Sequence, residues 1–254
     1  MTKIIAITNQ KGGVGKTTTS VNLAASLAAA KRKVLLIDLD PQGNAAMGCG
    51  INKNDVQYSS CELLLEDIPV SEIIISVKEV GFDVIAGNAD LTVAEVQLMK
   101  MAQRERRLAD ALKQIKGQYD YVLIDCPPSL NMLTLNAMVA ANSVLVPMQC
   151  EYYALEGLSA LMETLKNIQE SANPGLFLEG ILRTMFDNRS RLTKDVSAQL
   201  LEYFGDKIFR TCVPRNIRLA EAPSHGMPVL QYDKNSRGAV AYIALAGEII
   251  RKEK

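Results

Sequence analysis

Apolar residues fall along this chain in two kinds of block. Short β-branched runs occupy residues 4–8, 34–39, 84–85, 121–124, 144–148, 178–185 and 207–209, and most are apolar at nearly every position. Longer blocks, in which apolar residues recur at three- and four-residue spacing, occupy 18–30, 104–115, 133–141, 155–171, 192–204 and 236–251. A strand that is apolar on both faces must be covered on both faces, and strands separated by helices can pair in parallel. The pattern predicts an α/β fold: a doubly wound, mostly parallel β-sheet with helices on both faces. In such a sheet, ligands bind outside the carboxyl ends of the strands.

Three of those strand ends carry residues suited to chemistry. The run at 4–8 leads into Asn9-Gln10-Lys11-Gly12-Gly13-Val14-Gly15-Lys16-Thr17-Thr18, directly before a helical block. Strand, glycine-rich loop and helix are what a phosphate-binding loop requires: backbone N–H groups turn inward, and the helix N-terminus adds positive field. Lys16 is placed to reach the β- and γ-phosphates, and Thr17 to offer its hydroxyl to Mg²⁺. The usual first glycine of the motif is replaced by Gln10, and a second lysine, Lys11, stands at the loop mouth. A lysine there is badly placed for its own phosphates and well placed for a nucleotide on a facing subunit.

The run at 34–39 leads into Asp38-Leu39-Asp40-Pro41-Gln42-Gly43-Asn44, and the run at 121–124 into Asp125-Cys126-Pro127-Pro128-Ser129. Asp40, at the loop edge, is suited to orienting an attacking water. The deeper Asp38 is read as a hydrogen-bonding group or an outer magnesium group. Asp125, ending an apolar strand, is the expected second anchor for Mg²⁺ and its waters. Together these residues predict a nucleotide-hydrolysis site.

These motifs resemble the three signatures of deviant Walker-A ATPases, P-loop NTPases, and among them the ParA/Soj chromosome-partitioning group. Gln149–151 and the following Tyr152-Tyr153-Ala154-Leu155-Glu156-Gly157, Val213-Pro214-Arg215-Asn216, and Glu221-Ala222-Pro223-Ser224-His225-Gly226 extend the likeness along the chain. The resemblance implies a single ATPase domain over residues 1–254 that binds ATP and Mg²⁺. Lys11, Gly12, Gly13, Val14, Gly15, Lys16, Thr17 and Thr18 would form the phosphate site, and Pro214 and Asn216 would contact adenine. Lys11, Lys16, Asp40 and Asp125 would serve catalysis, with Thr17, Asp40 and Asp125 at the metal. It further implies an ATP-dependent homodimer with Gly12 at the close approach. It implies non-specific binding of double-stranded DNA through Arg189 and Arg218, and a ParB-like centromere-binding partner that stimulates hydrolysis. The preference for ATP over GTP comes from the resemblance alone. So does a glycine at the end of the first helix, where this chain has Lys31; a left-handed turn there would fall to lysine.

Composition adjusts this picture at the margins. The chain of 254 residues is 48% apolar, ample for a large core, and its net charge is zero. The charge is uneven: from Arg183 onward there are 13 Lys/Arg against 8 Asp/Glu, a net of +5, balanced by −5 before it. The C-terminal part is therefore a candidate polyanion-facing region. Five scattered cysteines without C-x-x-C spacing indicate neither zinc nor disulfides but inert thiols in a reducing compartment. The sole histidine, His225, reads as a loop residue. Arg104, Arg106 and Arg107, with Glu105 and Asp110 close by, read as a solvated helix face, with a partner-binding surface as the alternative. Tyr152-Tyr153 suit ligand stacking, an interface or core packing.

No signal peptide, membrane-length apolar run or helix-turn-helix segment precedes or interrupts the pattern. A cytoplasmic, nucleoid-associated protein without operator specificity is expected. The alternative within the superfamily is a MinD-like membrane-associated ATPase, which needs a basic amphipathic C-terminal helix. The block at 236–251 reads instead as a core helix with its charges clustered at the tip. Asp40 argues against a non-catalytic regulator, and no acceptor pocket is legible for a biosynthetic ligase.

Overall fold

The computed structural model describes residues 2–252. Eight strands form one sheet: β1 (Lys3–Ile7), β2 (Val34–Asp38), β3 (Ile75–Val77), β4 (Phe82–Ile85), β5 (Tyr121–Asp125), β6 (Ser143–Gln149), β7 (Phe177–Phe186) and β8 (Ile208–Pro214). Their order is β3-β4-β2-β5-β1-β6-β7-β8. All pairs are parallel except β3 with β4. The doubly wound reading therefore holds, with one antiparallel strand at an edge.

Alternation along the strands builds two cores. Ile5, Ile7, Leu36, Val84 and Leu123 face one side, where the helices Lys16–Ala29 and Arg237–Arg251 pack. Ala6, Leu35, Ile37, Val122 and Ile124 face the other, under the helices Leu91–Leu98, Met132–Ala140 and Ala154–Ser171. β1 lies between β5 and β6, and the chain winds away from it in both directions, so the switch point of the sheet sits at the end of β1.

Several elements differ from the sequence pattern. β8 runs to Pro214, well past residue 209, because Arg210, Thr211 and Cys212 form an edge and need not be apolar. Its outer edge is capped by Glu248, which accepts from Arg210 N, Thr211 N and Thr211 Oγ1 at 2.7–3.1 Å. β3 and the short helices Asn44–Met47, Ser60–Leu65 and Val70–Ile73 lie in a stretch without clear periodicity. Residues 104–115 form three short helical pieces. Of their arginines, Arg104 donates to Met99 O, and Arg107 donates to Leu64 O and pairs with Asp67; only Arg106 fits the solvated reading. Lys31 does take the left-handed turn, with φ 61°.

The final helix is N-capped by Ser236 and buries Tyr242, Leu245, Ala246 and Ile249. Its apolar face belongs to the core; Glu253 and Lys254, part of the basic tip, lie outside the described residues. Among the described residues no helix is long and apolar enough to cross a membrane.

Candidate nucleotide site

The loop between β1 and the Lys16–Ala29 helix owes its shape to two glycines. Gly13 (φ 74°) and Gly15 (φ 88°) occupy left-handed backbone that side chains rarely adopt. Gly15 directly precedes the helix, and its carbonyl accepts the Thr19 N–H at 2.9 Å. Val14 is buried, and its carbonyl accepts from Thr184 Oγ1 of β7 at 2.7 Å, which fixes the loop to the sheet.

Parallel register brings the two acidic strand ends together: Asp38 of β2 is the register partner of Asp125 of β5, and Asp125 that of Ile7 of β1. Both aspartates are fully buried. Ser20, one turn beyond Lys16, donates to Asp125 Oδ1 at 2.8 Å, and Thr17 hydrogen-bonds the same carboxyl. Asp125 Oδ2 is buried without a partner. Lys16 is 7% exposed, and its ammonium donates to Lys11 O at 3.2 Å. Burial lowers its pKa, while the neighbouring carboxylates Asp125 and Asp40 oppose that shift.

Asp38 is pushed up to about 8, first by burial and then by Asp125 beside it; the N–H groups of Ala46 and Asp40 pull the other way. Asp125 is raised to about 6, again chiefly by burial, against the hydrogen bonds from Thr17 and Ser20. Asp38 accepts from Asp40 N, Ala45 N and Ala46 N at 2.9–3.1 Å, so it is the hydrogen-bonding group expected of it. Asp40 lies beyond the end of β2, 9% exposed, and accepts from Gln42 N at 2.9 Å.

The orphaned Asp125 oxygen, next to Thr17 and Lys16, fits a hydrated magnesium ion: a buried acceptor lacking a donor is what a metal-bound water satisfies. Beyond the loop, a cavity of about 190 Å³ is lined by Thr18, Thr184, Met185, Pro214, Asn216 and Tyr242 among others. Pro214 and Asn216 thus meet Thr18 in one pocket, and the buried Asn216 Oδ1 has no partner there. Sequence reading missed Ser20, Thr184, Met185 and Tyr242. Ser20 alone carried a signal, as the polar residue one turn after Lys16; the others arrive from distant segments.

The remaining predicted residues lie apart from this interior. Lys11 and Gly12 are exposed; Lys11 pairs with Glu151, and a Cβ on Gly12 would meet nothing within 4 Å. Tyr152 and Tyr153 are 75% and 71% exposed, edge to face at 5.1 Å, which removes the core-packing reading. Arg189 and Arg218 follow the carboxyl ends of β7 and β8, and both are ion-paired. His225 lies in a short 3₁₀ helix, not a loop, stacked on Tyr232. All five cysteines are free thiols; burial raises Cys61 and Cys150 to about 11, and Cys49 and Cys126 further.

Fold and site together define a P-loop nucleotide-binding protein of the deviant Walker-A kind. A family model described as an AAA domain matches residues 2–178. The chain is 52% identical over 249 residues to the sporulation initiation inhibitor protein Soj of Bacillus subtilis, with 98% of each chain covered. It is 50% identical over 251 residues to the chromosome partitioning protein ParA of Myxococcus xanthus, covering 99% of this chain and 89% of that one. Among solved structures, cobyrinic acid a,c-diamide synthase from Mycobacterium smegmatis with bound ADP and magnesium matches with a TM-score of 0.87 at 36% identity, over 100% and 96% of the two chains. The chain belongs to the ParA/Soj family of chromosome-partitioning ATPases.

Proposed function

We propose that this chain is a single-domain, ATP-dependent dimerising switch. In the ATP state it binds double-stranded DNA non-specifically. On stimulation by a ParB-like centromere-binding partner it hydrolyses ATP and lets go, driving segregation of a chromosome or plasmid. Its place of work is the cytoplasm, on the nucleoid.

The observation that carries this reading is the division of the loop into a buried half and an open half. Lys16 is buried in the interior, beside Thr17 and Asp125, where it serves the phosphates of its own nucleotide. Lys11 and Gly12 face solvent, and nothing in the monomer requires a glycine at position 12. A facing subunit gives both residues a role: Gly12 permits close approach, and Lys11 crosses to the partner's phosphates. Magnesium, when bound, neutralises phosphate charge, and Thr17 and Asp125 are the residues to hold it, with Asp40 at its edge. Asp40 orients the attacking water. Gly13, Val14, Gly15 and Thr18 cradle the phosphates, and Pro214 and Asn216 hold the adenine.

Non-specific DNA affinity rests on phosphate neutralisation, and two weak sites joined in a dimer gain avidity without new contacts. Loss of the γ-phosphate separates the subunits, and DNA affinity falls with them. The final helix disfavours the MinD-like alternative, because its apolar face is committed to the core.

The test is binding to a random-sequence DNA duplex with ADP, with ATP, and with ATP and Gly12→Val protein, each at two salt concentrations. Binding that needs ATP, weakens steeply with salt and is lost in Gly12→Val supports the switch. An ATP dimer that binds no DNA at either salt refutes it, and binding to anionic vesicles in its place would favour the membrane reading.

A further inference from the structure

The two arginines assigned to DNA are not free cations. Arg189 leaves the end of β7 with its side chain 91% exposed, and Asp187 grips it as a fork: Nε to Oδ1 and Nη2 to Oδ2, both at 3.0 Å. Asp187 also accepts the Arg189 N–H at 3.0 Å. These hydrogen bonds hold its carboxyl at about 2, so it stays charged at any working pH. Arg218, 47% exposed, lies between two carboxylates: Nη1 meets Glu221 Oε2 at 2.8 Å, and Nε approaches Asp233 Oδ2 at 3.4 Å. Glu221 is held in turn by Tyr232 Oη at 3.3 Å. Arg215, Lys234 and Arg237 stand in the same segments with no ion pair among the described residues.

An arginine meant only to hold a phosphate gains nothing from a neighbouring carboxylate. The carboxylate occupies the donors that the phosphate would use and repels the phosphate itself. It does, however, set how strongly one subunit binds. We propose that Asp187, Glu221 and Asp233 are intramolecular competitors for DNA phosphate at Arg189 and Arg218, so that one subunit alone binds too weakly and DNA binding waits for the dimer. This inference rests on the DNA reading above. In the dimer the per-subunit affinities multiply, so a modest handicap on each subunit sharpens the difference between the nucleotide states. Exposed ion pairs are weak, so each competitor lowers per-subunit affinity by about three-fold, not by orders of magnitude.

The test compares the parent with Asp187→Asn, Glu221→Gln and Asp233→Asn, singly and together, on a random-sequence duplex in ADP and in ATP. The same carboxylate changes are then repeated in an Arg189→Ala, Arg218→Ala background. Thermal unfolding and binding of fluorescent ADP establish that each variant is folded; the single variants serve if the triple is not. The expected result is tightening of about three-fold per change in ADP, about thirty-fold for the triple variant in ADP, and more again in ATP, where both subunits gain. The triple variant should also bind measurably in ADP, and the gain should vanish without the two arginines. Unchanged or weaker binding in the carboxylate variants overturns the inference, since the carboxylates then merely orient the guanidinium groups. A gain that persists without the arginines also overturns it, as a general charge effect. A parent that binds no DNA in ATP removes the DNA reading itself, and this inference with it.

Discussion

The buried aspartate pair makes the stability of the free protein depend on pH with a sign opposite to that of most carboxylates. Asp38 is raised to about 8 and Asp125 to about 6, each chiefly by burial. In the unfolded chain both titrate near 4. Between those values the folded protein holds protons that the unfolded chain has released, so stability falls as pH rises through the folded values. From pH 6 to 8 Asp38 falls from about one retained proton to about half of one, at up to about 1.4 kcal/mol per pH unit, or about 2 kcal/mol across the window. For a chain of this size that lowers Tm by about 4–8 °C. The window is unusually clean, because the chain has one histidine, His225, and it is exposed. The assay is thermal unfolding by circular dichroism at pH 6, 7 and 8, in EDTA and without nucleotide, on the parent, on His225→Gln and on Asp38→Asn. The slope should survive in His225→Gln and shrink in Asp38→Asn, whose amide oxygen still accepts from Ala45 and Ala46. A Tm that is flat or rises from pH 6 to 8, or a slope untouched by Asp38→Asn, would refute the reasoning and leave both carboxylates ionised in the folded protein.

Three further predictions separate structural from functional roles. Gly12→Val should leave the unfolding free energy of the nucleotide-free protein, from urea titration, within about 0.5 kcal/mol of the parent, because its Cβ has open space. Gly15→Ala should cost about 1–2 kcal/mol, because its backbone sits at φ 88°. Leu245→Ala should cost about 2–5 kcal/mol, since Leu245 is fully buried in the last helix; a loss below about 1 kcal/mol would show that this helix is not part of the core.

How much of this was legible from the sequence follows from where the information sits. β1, β2, β5 and β6 are buried on both faces over most of their length, so they are apolar at nearly every position and announce themselves. β8 is half hidden, because an edge strand tolerates Arg210 and Thr211. The Ser60–Leu65 helix carries a capping box, Ser59 with Glu62, but six residues are too few for a period to show. The phosphate loop is contiguous and could be read directly. The pairing of Asp38 with Asp125 could not, because it depends on the insertion of β5 between β1 and β2. The cavity beyond the loop gathers Thr18, Thr184, Pro214 and Tyr242 across more than two hundred residues, beyond any local pattern. The carboxylates paired with Arg189 and Arg218 were closer to view: Asp187 is two residues from one and Glu221 three from the other. Spacing permits such pairs without requiring them, and the distances decide.

The segment that carries Arg218 is also bound firmly to the nucleotide side of the molecule. Asn22, on the helix that begins at Lys16, accepts the Val229 N–H at 2.7 Å. Gly50, beyond the Asp38–Asp40 loop, meets Gly226 backbone to backbone: a Cβ on Gly50 would lie 2.9 Å from Gly226 O, and a Cβ on Gly226 2.9 Å from Gly50 Cα. Thr19 and Tyr242 join the same helix to the last one at 3.1 Å. Glu221 and Asp233, on either side of these anchors, therefore hold Arg218 from a fixed backbone, not from a swinging arm. If the segment does not move, nothing inside one subunit withdraws the carboxylates when ATP binds. On the proposed DNA reading, the guanidinium would then have to be won by the DNA itself, with a second subunit on the same duplex supplying the missing affinity. A switch built this way needs no change of shape at the DNA face: bringing two weak faces together, and later separating them, is sufficient.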